Sequence, residues 1–113
     1  MAQQQTVGKH RTTVSDNRGN GGDLTVTYHS TKVVTVRSGV GYLADHWRII
    51  LDSGGYRTAT TKSRMNQAAN EYDLGFSVYQ RGGKWFYNCN PVDRRHWRRI
   101  PFEDGIVIFT TKR

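Results

Sequence analysis

Ser53-Gly54-Gly55-Tyr56-Arg57-Thr58-Ala59-Thr60-Thr61-Lys62-Ser63-Arg64-Met65-Asn66-Gln67 joins a strand-like hydrophobic run to the one helical pattern in the chain. From Met65 the apolar residues fall at Met65, Ala68, Ala69 and Tyr72, the stripe of a helix lying on something apolar. The spacing predicts a helix from about Thr60 to Asp73. Thr60 or Thr61 can cap it by accepting from a backbone N–H two or three residues on, although no acid stands at the capping-box position. Gly75 suits the left-handed position past the last turn, with Phe76 folding back onto the helix end.

Charges on this helix oppose its dipole, with Arg57, Lys62 and Arg64 at the start and Glu71 and Asp73 at the end. Each costs only a few tenths of a kcal/mol, roughly, when exposed. Two readings follow. Free N–H groups, threonine hydroxyls and the three cations converge on an anion such as phosphate, or the helix has a solvated basic end.

Working outward, Leu24, Val26 and Tyr28 alternate with Thr25, Thr27 and His29, as in a half-buried strand. Ser30-Thr31 offers a turn into an antiparallel partner over Lys32 to Arg37, with one long bent strand as the alternative. His46 to Leu51 forms a third strand, ended by Asp52-Ser53-Gly54-Gly55. After the helix, Phe76 to Gln80 and Lys84 to Cys89 flank Arg81-Gly82-Gly83, and a glycine pair between two alternating runs signals a hairpin. Arg94 to Ile100 reads as a strand that Pro101 confines to an edge or stops, and Ile106 to Thr110 as the last strand. The expected fold is α+β: a mostly antiparallel sheet of about five to six strands, in ββ-β-α-ββ-ββ order, with one helix packed on one face.

A chain of 113 residues allows one domain with a modest core. Hydrophobic residues make up 35% and aromatics 12%, so large rings must fill much of that core. Lys and Arg number 17 against 9 Asp and Glu, a net charge of +8, which favours polyanionic partners, nucleic acid first. An anionic membrane ranks behind it because no basic amphipathic helix is present, and no run reaches transmembrane length. Cys89 is the one cysteine, which excludes an internal disulfide and a cysteine-based zinc site. The N-terminus lacks a signal-peptide core. Residues 1–22 hold Lys9, His10, Arg11 and Arg18 with few apolar anchors and read as a basic arm ahead of a domain over 23–113.

The run from Gly54 to Ala68, followed by Leu74-Gly75-Phe76-Ser77-Val78-Tyr79-Gln80 and Lys84-Trp85-Phe86, resembles a family of small tailed-bacteriophage proteins over roughly residues 46–109. The resemblance implies a phage origin and expression in the host cytoplasm, with a place in the virion as a further option. It brings no functional residues with it.

The densest basic feature is Arg94-Arg95-His96-Trp97-Arg98-Arg99. In a strand, Arg95, Trp97 and Arg99 share one face and Arg94, His96 and Arg98 the other. Either face offers guanidinium forks for phosphates, with Trp97 stacking on a base, or Trp97 is core and the arginine stems cover its edges. Arg81 and Lys84 with Tyr79 and Phe86 form a second aromatic and basic surface on the hairpin, whose inner side takes Phe76, Val78, Trp85 and Tyr87. Catalysis finds little support: His10, His29, His46 and His96 lack ligand spacing, and Cys89 has no activating neighbour. No enzyme, metal or cofactor is expected.

The residues therefore lead to a phage accessory protein that binds DNA or RNA through phosphates without reading sequence. The contacts fall to Arg57, Lys62, Arg64, Arg81, Lys84, Arg94, Arg95, Arg98 and Arg99, with Trp97 beside them. The alternative is an interaction protein that binds a host or defence factor; self-association stays open.

Overall fold

A computed structural model of the protein describes residues 11–55, 57–89 and 100–112. The fold is α+β: the described residues form one α-helix and eight strands, and the strands divide between two antiparallel sheets of five and three. The larger sheet runs β1 (Thr12–Asp16), β2 (Leu24–Tyr28), β3 (Thr31–Ser38), β4 (His46–Leu51) and β8 (Ile106–Thr111) in spatial order. The smaller runs β5 (Phe76–Arg81), β6 (Lys84–Cys89) and β7 (Ile100–Pro101). The helix, α1 (Ala59–Glu71), packs against β2, β3 and β5 and so ties the sheets together.

Alternation sets which side of each strand enters the core. Leu24 and Val26, Val34 and Val36, Ile49 and Leu51, and Ile108 are all buried on one side of the larger sheet. Opposite them stand Met65, Ala68 and Ala69 of the helix, Leu74 after it, and Phe76, Val78, Trp85 and Tyr87 of the hairpin. Trp85 closes one end of this core edge-on against Phe102, ring centroids 5.4 Å apart. The inner and outer residues of the hairpin thus fall as the alternation predicts, and Tyr79 and Phe86 face outward.

The hairpin turns through Gly82 and Gly83 at φ 60° and 78°, closed by the Arg81–Lys84 pair. Two successive left-handed residues are what a two-residue hairpin loop demands, and glycine adopts them without strain.

Three expectations need correction, and a fourth lies beyond the described residues. The strands do not make one sheet, because β8 returns beside β4 while β5 and β6 pair only with each other and β7. The arm expected over residues 1–22 does not extend through Thr12–Asp16, which is an edge strand paired along its length with β2; its mostly polar residues hide the period, and backbone hydrogen bonds hold it in place. The helix begins one residue early, capped by Thr58, whose Oγ1 accepts from the Thr61 N–H at 3.2 Å. At its other end Asp73, at φ 52°, takes the left-handed position, and the Leu74 N–H donates to the Ala69 carbonyl at 3.0 Å. That bond is the Schellman closure, with Leu74 buried as its apolar plug. The strand expected over Arg94 to Ile100 lies outside the described residues except for Ile100.

Candidate nucleic-acid interface

Cross-strand register decides which side chains share the outer face of the smaller sheet. Tyr79 stands opposite Phe86, Arg81 opposite Lys84, and Phe86 opposite Pro101. The rings of Tyr79 and Phe86 stack with centroids 5.8 Å apart and planes 26° from parallel. Both are half-buried, whereas Arg81, Lys84 and Pro101 are exposed. The face therefore carries an aromatic pair with two cations in the next cross-strand position, the arrangement that bases can stack on while phosphates meet the charges. Neither Arg81 nor Lys84 has a carboxylate partner among the described residues.

The cations at the helix start do not meet. The Arg57 guanidinium turns to the core's rim, 5.3 Å from the Phe102 ring centroid and 6.0 Å from that of Trp85. Burial pushes the Asp104 carboxyl up, but hydrogen bonds from Ser53 Oγ and the Ser53 and Gly55 N–H groups, with the charge of Arg57, leave it below the usual carboxylate range. Arg64 is buried, donating from Nε to Thr12 Oγ1 at 2.9 Å and from an Nη to Gln67 Oε1 at 3.1 Å, with its guanidinium 5.7 Å from the Tyr28 ring. It fastens β1 to the helix. Lys62 remains on the surface, half-buried. Helical spacing shows which residues share a face but not that a neighbouring strand will roof one of them.

Arg94, Arg95, Trp97, Arg98 and Arg99 lie outside the described residues. The chain re-enters at Ile100, opposite Tyr87 in β7.

Other cations are spent or placed elsewhere. Arg18 pairs with Asp16 and holds its carboxyl below the usual range, chiefly by a side-chain hydrogen bond. Arg37 pairs with Asp23 at 2.9 Å, and Lys112 Nζ sits 4.6 Å from the Trp47 ring. The described cations thus occupy several elements rather than one face.

Sequence reasoning missed the outer face of the larger sheet. There Arg37, Arg48 and Phe109 form one row across β3, β4 and β8, beside Ile50 opposite Val107. Phe109 and Val107 are 43% and 38% exposed. Alternation in His46-Trp47-Arg48-Ile49 already points Arg48 outward; what no single strand reveals is its neighbour in the sheet. A cleft between the β2–β3 turn and the helix start was missed as well.

Among the described residues no group of three or more His, Cys, Asp or Glu could hold a metal ion, and no helix is long and apolar enough to cross a membrane. No curated protein and no solved structure matches the chain. A protein-family model described as Kyanoviridae Gp96 protein matches residues 1–109, so the likeness extends past the segment from residue 46 and takes in the first strands. The chain belongs to the Kyanoviridae Gp96 family of phage proteins.

Proposed function

We propose that this phage protein binds single-stranded nucleic acid, without sequence preference, through the outer face of β5 and β6. Bases stack on the Tyr79 and Phe86 rings and phosphates meet Arg81 and Lys84. The observation that carries this reading is the stacked ring pair next to two cations that lack carboxylate partners among the described residues. Net charge does not carry it, because the cations are spread over several elements. The arginine-rich run over 94–99 ends one residue before Ile100, which stands beside Tyr87 on the same sheet, and it supplies further phosphate contacts.

Fluorescence anisotropy of a labelled oligothymidine tests the proposal. Affinity falls steeply with added NaCl and drops on Tyr79→Ala and on the Arg81→Ala, Lys84→Ala pair. Binding that ignores salt, or that survives both changes, overturns it.

A second reading, binding of a host protein, is favoured by one observation: exposed Val107 and Phe109 lie with half-buried Ile50 beside Arg48. A contiguous apolar patch with a single ring and no aromatic partner matches the apolar side chains of a protein better than a run of stacked bases. Loss of a captured host protein on Phe109→Asp, with oligothymidine affinity unchanged, separates the two readings.

A further inference from the structure

A cleft opens where the β2–β3 turn meets the loop into α1. Its deeper half encloses about 430 Å³, within the range of small-ligand sites. Tyr28 and Val33 give it a carbon wall, and hydroxyls of Ser30, Thr31, Thr58 and Thr61 stand around them. Two of these hydroxyls are engaged, Thr58 Oγ1 and Thr61 Oγ1 bonding each other at 3.1 Å. The side chains of His29, Ser30 and Thr31 have no hydrogen-bond partner among the described residues. An open cavity of about 450 Å³ adjoins this half, sharing His29 and Ser30 and adding Arg11 with Thr12 and Thr13. The His29 N–H donates to the Arg11 carbonyl at 2.8 Å, which holds the two residues together at the junction.

The two halves differ in chemistry. One is walled by carbon and rimmed by small hydroxyls; the other is polar and carries a guanidinium and an imidazole. We infer that the cleft binds a nucleoside monophosphate, with the base in the enclosed half against Tyr28 and Val33 and the phosphate in the open half at Arg11 and His29. A bare anion would leave the carbon-walled half unfilled. A carbohydrate would find no carboxylate or carboxamide among the described residues lining either half, and those are the groups that grip neighbouring sugar hydroxyls two at a time. Hydroxyls, which both donate and accept, suit the mixed edge of a base. The nucleotide is either free or the phosphorylated end of a strand. This inference does not rest on the hairpin reading, since it concerns residues 11–33 and 53–61.

Amide chemical-shift titration of the full chain with adenosine 5′-monophosphate, adenosine and glucose tests it. The monophosphate shifts the amides of 29–31 and 58–61. Arg11→Ala weakens that binding roughly tenfold or more, the worth of a charge-assisted contact, and leaves adenosine unaffected. Ser30→Trp, an exposed position whose change is checked by thermal melting, fills the cleft and abolishes both. Shifts of the same amides by a 5′-phosphorylated oligonucleotide, and not by its 5′-hydroxyl form, identify a strand end as the source. Shifts by the monophosphate and by neither oligonucleotide identify the free nucleotide. The inference is overturned if these amides do not move, if only those of 79–86 move, if glucose moves them equally, or if Arg11→Ala weakens adenosine as much as its monophosphate.

Discussion

The carboxamide of Asn66 bonds both backbone groups of Val78: Oδ1 accepts from the Val78 N–H at 2.7 Å, and Nδ2 donates to the Val78 carbonyl at 2.8 Å. β5 is an edge strand of its sheet, and a side chain of the helix thus stands in for the missing neighbour. An unpaired edge is an invitation to aggregation, and this amide blunts it while locking helix to hairpin.

Replacing Asn66 by Ala leaves a part-buried donor and acceptor unpaired. The expected loss is about 2 to 6 kcal/mol, at about 1 to 3 for each of the two stranded groups, measured by urea denaturation. Asn66→Asp keeps the acceptor but sets a carboxylate against the Val78 carbonyl, so it also destabilises. A change below 0.5 kcal/mol, roughly the scale of a neutral surface substitution, would show that the pair does not matter.

Arg64 behaves as a structural residue in this architecture. Arg64→Ala removes the donors to Thr12 and Gln67 and speeds amide exchange along β1, at a cost of about 1 to 3 kcal/mol. Oligothymidine affinity of the folded variant stays within about twofold, under 0.5 kcal/mol. A large loss of affinity with β1 exchange unchanged would place Arg64 at the nucleic acid instead.

On the hairpin face, removing Arg81 and Lys84 together lowers the slope of log affinity against log salt by about 1.4, at about 0.7 per phosphate on a single strand. Phe86→Ala leaves that slope alone and weakens binding by about 1 to 3 kcal/mol, the worth of one stacked base. If the two variants alter slope and affinity alike, charge and stacking are not divided as the geometry divides them.

Gly54 has φ 64°, and a Cβ built there runs into the Thr31 side chain. Gly54→Ala therefore loses about 1 to 2 kcal/mol for the left-handed backbone, plus a steric cost. Adding Thr31→Ala recovers only the steric part. Full recovery in thermal melts would show that the backbone conformation is free to change.

Asp104 Oδ1 accepts from Ser53 N–H at 2.9 Å and Ser53 Oγ at 2.7 Å, and its carboxyl is held below the ordinary Asp value. A group depressed in the folded state stabilises above its unfolded pKa, about 3.9, and that stability is lost as pH falls through the lower folded value. Stability measured from pH 6 down to about 2 should decline less steeply in Asp104→Asn than in the wild type. Parallel curves would mean that Asp104 ionisation is not coupled to folding.

Much of this was legible from residue order. The stripe Met65, Ala68, Ala69 located the helix, and all three are buried. Alternation across Phe76 to Cys89, with the glycine pair between, gave the hairpin and the outward placement of Tyr79 and Phe86. Thr12–Asp16 escaped because an edge strand with a single apolar residue, Val14, among threonine, serine and aspartate shows no hydrophobic period. The helix cap was misplaced by two or three residues because Thr58, Thr60 and Thr61 are chemically alike, and only the path of the incoming chain selects among them.

Sequence alone determined the element types, the inner and outer faces of most strands, the surplus of cations and the likeness to phage proteins, because each follows from neighbours a few residues apart along the chain. Tertiary structure alone decided that the strands form two sheets, that Arg64 points inward to Thr12 while Arg57 turns to Phe102, that Asn66 caps an edge at Val78, and that Arg11 meets His29 beside a cleft. Those outcomes depend on register and on which element lies across the core, and pairings between residues tens of positions apart leave no periodic mark in either partner.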